Sequence, residues 1–433
     1  MRATILLVSA VVGGVVWAAG SAGGQAPGST PREALTVKLE MDFPVHEVQP
    51  ADYESPVVTH NGSIYAAWVD DQLRTMVARK SPDGTVQTSV VFPRTIEDRY
   101  HVAPSIGVDR DGYIHLTGNM HNSPDALPDF IPVKSPWQYA VSDRPEDISS
   151  FTFLGDDPGR SPPGRGITYP LFASDSSGEL YLTFRHRVKY GTGWSPGIMA
   201  GAVAHYDPRA RRWDMLGGTD YVHGEKTLFW TAKPGGGSAY QGFKVRIFFD
   251  RDNRMHLATV MHESGSVSLA THVVYACSDD GGRTFRRADG SPYESLPITL
   301  RNGDIVVGPP WVDEPSLHNK PEVGVGPGGR PIVGFWKRGE REGKYVSRWS
   351  PEAGWSDPET WPGLYFVTDP QGVITLPAGD WLRRSHDDGR TWQSHATEAS
   401  WCMIDMGWLA ATRQVRFRTL QDGRFAVWTA TFE

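Results

Sequence analysis

One local pattern recurs along this chain and limits what it can fold into. A short segment of alternating apolar and polar residues meets a turn rich in Gly, Asn and Asp, and a second alternating segment follows. The instances are VVTHNGSIYAAW, IGVDRDGYIHLTG, LFASDSSGELYLTF, IFFDRDNRMHLATV, VGVGPGGRPIVGF, FVTDPQGVITL and RTLQDGRFAVW, with turns near positions 61, 111, 176, 251, 328, 371 and 422. Period-two alternation on either side of such a turn is the mark of a β-hairpin. Hairpins at near-regular spacing, with no long amphipathic helical stretch, predict small sheets repeated around an axis. The expected fold is all-β, a seven-bladed β-propeller.

A second repeat agrees. SDDGGRTF (Ser278–Phe285) and SHDDGRTW (Ser385–Trp392) share the spacing S-x-D-x-G-x-T-aromatic, the Asp-box or BNR turn. Its aspartate is expected to accept hydrogen bonds from the turn backbone, its glycine to permit the bend, and its aromatic to pack between sheets. The turn speaks for a propeller and is silent on chemistry.

The N-terminus sets the expected compartment. Arg2, the apolar run Ile5–Ala19 and the small residues up to Ala26 read as a secretory signal peptide over residues 1–26. The apolar run is shorter than the roughly 20 residues a membrane span needs. Residues 27–34 read as a disordered segment and 35–433 as one propeller domain, secreted or periplasmic. With a net charge of −7 and no Lys/Arg run, nucleic acid is excluded as a partner. No membrane partner is expected, and a monomer is. The only cysteines, Cys277 and Cys402, can pair in an oxidising compartment but do not make a disulfide scaffold.

Hairpin register shows what the ring does with its polar residues. With a turn at Asp109–Gly112, His101 faces residue 120 or 121, so His101 and His121 meet at the open end of one hairpin. His115 lies mid-strand, where packing or a backbone hydrogen bond is expected. With a turn at Asp175–Gly178, Tyr169 meets Phe184 or Arg185 at the equivalent open end. The same alignment sets Gln241 near His262, and His318 and Asn319 near Lys337. In a propeller these ends gather at one face around the axis, where pockets form.

At these residues the chain resembles a known family. YHVAPSIGVDRDGYIHLTGNMHNSP is similar to the H-N-x-P…D-x-x-G-x-I-H…G-x-H-N-x-P pattern of a BNR-repeat family that includes the β-propeller ulvan lyases, with Val102 where the pattern has asparagine. ITYPLF with Arg185 sixteen residues after its tyrosine resembles the T-Y-P…R segment of those enzymes. The likeness runs, more weakly, from about Tyr53 to Gly334. It implies a seven-bladed propeller that cleaves ulvan, a sulfated polymer of rhamnose 3-sulfate and uronic acid, by β-elimination. It further implies active-site histidines at His101 and His121 (with Asn122 beside the second), a catalytic tyrosine at Tyr169 and a carboxylate-neutralising arginine at Arg185. Some members carry a structural zinc. His256, His262, His272 and Cys277 are nearby donors, but they form no compact ligand motif, and neither zinc nor calcium is assigned.

β-Elimination at a uronate removes the C5 proton, which is acidic because the adjacent carboxylate takes up the charge. Arg185 can hold that carboxylate bidentately. His101, with an ordinary pKa near 6.5, suits the base, Tyr169 can protonate the departing O4, and His121 can orient the carboxylate or share the base role. Base and acid remain interchangeable among these three. No cofactor is required. Sulfate on a neighbouring sugar would want a cation, and Arg187, Lys320 and Lys337 are candidates beside Gln241, His318 and Asn319. Two other classes compete. A sialidase-like hydrolase needs an arginine cluster holding a carboxylate and a Tyr/Glu nucleophile pair, and VRIFF at Val245–Phe249 is a buried strand rather than its N-terminal motif. Ordinary hydrolases need two acids facing the site, where the hairpin ends carry His, Tyr and Arg. A non-catalytic carbohydrate-binding propeller would use some of the sixteen tryptophans for stacking on sugars.

Overall fold

The D-x-x-G turns predicted from sequence fold as compact loops closed by their own aspartate. The Asp109 carboxylate accepts from the N–H groups of Asp111 and Tyr113 at 3.0 and 2.9 Å. Asp175, Asp250 and Asp369 repeat this pair of bonds at the same two offsets. Gly112, Gly178 and Gly372 take the left-handed backbone the turn demands, and Asn253 takes it in the fourth instance. Gly372 is required twice over, since a Cβ there would lie 2.4 Å from the Pro327 backbone of the neighbouring turn.

The computed structural model describes residues 33–45, 56–93, 104–118, 137–164, 167–189, 198–219, 226–230, 240–262, 269–312, 314–318, 321–397, 402–404 and 414–433. Every regular element among them is a β-strand. Within the unit Ala34–Glu433 the strands form a ring of seven antiparallel sheets, a seven-bladed β-propeller. Blades one to six follow in chain order, each opening with its first two strands as a hairpin: Val57–His60 with Ser63–Val69, Ser105–Val108 with Ile114–Thr117, Thr168–Ser174 with Leu180–Lys189, Tyr240–Phe249 with Met255–His262, Glu322–Val325 with Pro331–Lys337, and Val367–Thr368 with Ile374–Ala378. The seventh is composite. Cys402–Ile404, Gln414–Gln421 and Arg424–Phe432 come from the C-terminus, and Leu35–Pro44 from the N-terminal side supplies the outer strand. That exchange closes the ring. The turn at 422 joins the second and third strands of this blade, where the other six turns join the first two.

The core is distributed rather than central. Seven apolar clusters fill the seven gaps between adjacent blades; one joins Trp137, Tyr139 and Leu154 of blade two to Phe172, Leu182 and Trp213 of blade three. A strand near the axis is therefore buried on both faces. Ser63–Val69, SIYAAWV, is buried at all seven positions, and its sequence is correspondingly an almost unbroken apolar run. The two S-x-D-x-G turns sit at the third-strand ends of blades four and six. In each, the aspartate accepts from the threonine N–H at 2.9 Å and the serine hydroxyl accepts from a glycine N–H at 2.8 Å.

Candidate active site

The site grows out of an irregularity in blade three. Thr168 pairs with Arg185 and Leu171 with Thr183, so Tyr169 and Pro170 together stand opposite Phe184. This is a β-bulge. Proline accounts for it: Pro170 has no N–H to give the ladder and is tolerated in a strand at such a point. Tyr169 takes up the extra length with a φ of 60°, a left-handed backbone that a tyrosine adopts only when its surroundings impose it. The strained residue is one of the predicted site residues.

The bulge changes which side chains meet. Thr168 and Arg185 are directly opposed, so their side chains share one face of the sheet. In a regular strand Tyr169 would point to the other face. Instead its ring lies under the Arg185 guanidinium, 5.0 Å from the carbon centre. Arg185 Nη2 also donates to Thr168 Oγ1 at 3.1 Å. Tyr169 and Arg185 thus meet as expected, but through a bulge rather than as a ladder pair. All three residues are buried, with no more than 3% of their surface exposed. For a guanidinium so deep, stacking on a desolvated aromatic face is worth about 2 kcal/mol.

The remaining predicted residues fall into three groups. His101, His121 and Asn122 lie outside the described residues, as do Asn319 and Lys320. The blade-two ladder that leads toward the histidines is described, and it takes one of the two alignments the turn allows, from Val108↔Ile114 to Ser105↔Thr117. For Arg187 and Gln241 the backbone position is described. Arg187 pairs with Met199, and Gln241 pairs with Met261 while Tyr240 takes His262, one residue away from expectation because a register shift falls between Gln241 and Val245. His318 and Lys337 are fully described. The His318 N–H donates to the Trp336 carbonyl at 2.7 Å and its ring stacks on that indole at 4.5 Å, while Lys337 bridges to Leu317. Lys337 is a buried cation: its ammonium donates to the Glu340 carbonyl and faces the Trp311 ring at 5.9 Å.

Other polar residues are structural. The His115 ring lies 2.6 Å from the Tyr139 hydroxyl and 3.2 Å from Asp109 Oδ2. Its hydrogen-bond partners are side chains rather than backbone, and its ring packs against Tyr206 at 4.4 Å, the packing role expected of a mid-strand residue. Blade four repeats the trio with His256, Tyr275 and Asp250 at 2.6 and 3.2 Å, so His256 is a locking residue. The His272 ring is 2.8 Å from the Thr271 hydroxyl. Cys277 is a free, buried thiol whose pKa burial pushes up to about 11. Among the described residues no three His, Cys, Asp or Glu side chains converge as metal ligands.

Two elements escaped the sequence reading. One is Thr168. The other is an ion pair near the axis: Arg246 Nε and Nη2 donate to the two Glu322 carboxylate oxygens at 3.2 and 2.5 Å, with Tyr365 beneath the guanidinium at 5.7 Å. Arg246 lies within the VRIFF strand, whose Val245 and Ile247 are buried as expected.

The buried trio of blade four carries a pH prediction. Burial holds the His256 imidazole below its usual range. Burial also pushes Asp250 up, but bonds from His256 and from the turn N–H groups outweigh it, and its pKa is lowered. A depressed pKa contributes stability that is full above the unfolded value, about 6.5 for histidine, and is lost as pH falls toward the folded value. Urea midpoints of wild type and His256→Gln are expected to differ most above about pH 7 and to converge as pH drops below about 6. A gap that is constant with pH would show that His256 does not titrate on unfolding.

The profile of the BNR repeat-containing family matches residues 63–361, more than half of the chain, and the chain belongs to that family. Among solved structures, a polysaccharide lyase described as a PL25 ulvan lyase bound to -[GlcA(1-4)Rha3S]- is similar, with a TM-score of 0.62 and 16% identity over 91% of this chain and 95% of that one. The polysaccharide lyase Uly1 aligns with a TM-score of 0.64 and 13% identity over 88% of this chain and 90% of that one. At such identities the likeness is one of fold. A search of curated proteins finds no match. No helix among the described residues is long and apolar enough to cross a membrane.

Proposed function

We propose that the protein is an exported polysaccharide lyase that cleaves a uronate-containing, sulfated polymer of the ulvan kind by β-elimination. The observation that carries this reading is the buried Arg185 guanidinium, stacked on Tyr169 at the open end of blade three in a chain of the BNR repeat-containing family. Most glycosidases work with two opposed carboxyl groups, and those with a tyrosine nucleophile pair it with a glutamate. Here a fixed cation touches a phenol, the pairing that enolate chemistry needs. The fold shared with structures described as ulvan lyases supports the same class.

In this scheme Arg185 holds the uronate carboxylate and takes up the charge that develops when C5 loses its proton. Tyr169, beside it, protonates the departing O4. His101 serves as the base and His121 as the orienting residue. The proton leaves C5 for the imidazole, the C5–C4 double bond forms, and the C4–O4 bond breaks with protonation of oxygen. Metal and cofactor have no part in these steps.

The product is unsaturated and absorbs in the ultraviolet, which a hydrolase product does not. Wild type incubated with ulvan is expected to release it. Tyr169→Phe and His101→Ala are each expected to lose at least about 100-fold in rate while melting at nearly the wild-type temperature. Reducing ends that appear without ultraviolet absorbance would identify a hydrolase; binding of ulvan with no cleavage would identify a carbohydrate-binding propeller.

A further inference from the structure

We infer that Thr168 is a positioning residue for Arg185, and that the Tyr169–Pro170 bulge is the device that places two consecutive side chains against one guanidinium. The inference rests on the lyase reading above and assigns the site a residue beyond it. In a flat strand, Thr168 and Tyr169 would project to opposite faces, and Arg185 could touch only one of them. The register shift between Thr168 and Leu171, with Tyr169 at a φ of 60°, brings both to the same side. Thr168 Oγ1 then accepts from the Nη2 edge at 3.1 Å while the phenol ring lies 5.0 Å below the guanidinium carbon.

The two contacts restrain different motions. A ring beneath the guanidinium fixes the tilt of its plane. A hydroxyl at one edge fixes rotation within that plane, and with it the direction of the fork that a carboxylate must match. Threonine suits the task because its β-branched side chain is stiff at χ1, and this one is wholly buried. The neighbouring blade adds rigidity on the same strand, where Thr183 Oγ1 donates to the Val245 carbonyl at 2.8 Å, two residues before Arg185. A fork misdirected by a fraction of an ångström still binds an anion, but it meets the developing enolate poorly. Thr168 therefore acts on turnover more than on binding.

The test compares wild type, Thr168→Val and Thr168→Ser on ulvan. Valine keeps the shape and removes the acceptor; serine keeps the acceptor. Thr168→Val is expected to lower kcat by about 10- to 100-fold with KM within about twofold of wild type, and Thr168→Ser to recover most of that loss. Both should melt close to wild type. Should the valine protein fail to fold, Thr168→Ala carries the same comparison. Unchanged kcat in the valine or alanine protein, or equal losses in the serine and valine proteins, overturns the inference. A wild type that cleaves no uronate polymer counts against the lyase reading instead. Crystal structures of the three proteins then decide the role of Thr168, which stands if the Arg185 guanidinium turns within its plane in the valine protein and keeps its wild-type direction in the serine protein, and falls if it keeps that direction in the valine protein.

Discussion

Arg185→Lys is expected to lower kcat/KM on ulvan by at least about 100-fold, and Arg185→Ala by about 1,000-fold or more. The larger figure reflects what the guanidinium is asked to do in the proposed scheme. As C5 loses its proton, charge moves onto the carboxylate oxygens, and a fixed cation stabilises that state more than the ground state. The loss should therefore fall mainly on kcat. Lysine keeps the charge but is not a conservative replacement. An ammonium cannot form the two-pronged contact, loses the planar face that rests on Tyr169, and does not reproduce the Nη2 bond to Thr168. Initial rates of unsaturated product, with melting temperatures alongside, check this. If Arg185→Lys turns over near the wild-type rate, the carboxylate is neutralised elsewhere.

The same residues show where the sequence is legible. Turn chemistry is local: an Asp that closes its own loop and a residue in the left-handed region fix a hairpin and narrow its register, so VDRDG leaves blade two a choice of two alignments, of which it takes Val108↔Ile114. That arithmetic assumes an unbroken ladder. It misses by one at Gln241 and does not foresee the bulge through which Tyr169 reaches Arg185, both of them irregularities of inner strands near their open ends. For Tyr169 the signal was present, since a proline inside an inner strand calls for a bulge. Ring closure was not legible for a different reason. The hairpin at 422 looks like the other six, and only the pairing of Leu35–Pro44 with Arg424–Phe432 reveals that it occupies a different place in its blade. Lys337 and His318 show a third limit: sequence puts them side by side but does not reveal that an indole and a carbonyl already engage them.

Glu322→Ala is expected to destabilise the fold by about 3–5 kcal/mol, among the largest effects a single substitution here can have. Glu322 and Arg246 come from the first strands of blades five and four, 76 residues apart, and nothing local in either segment announces their contact. Their side chains are 0% and 5% exposed. Burial pushes the Glu322 carboxyl up, while Arg246, bonded to both its oxygens, the Val323 N–H and the charge of Lys244 pull it down; the net shift is upward, so the carboxylate is held at a cost that its partner offsets. Removing the acid alone leaves a guanidinium in the interior with its counter-charge gone, and that uncompensated charge dominates the loss. The double variant Arg246→Met with Glu322→Leu removes both charges and is expected to recover most of the stability, because apolar packing between inner strands can replace an ion pair that desolvation has already weakened. Urea unfolding of the two proteins checks this. A loss below about 1 kcal/mol in Glu322→Ala would mean that water reaches the pair and screens it, as for a surface salt bridge. A double variant no more stable than Glu322→Ala would mean that the bidentate geometry, rather than burial of charge, holds blades four and five together near the axis.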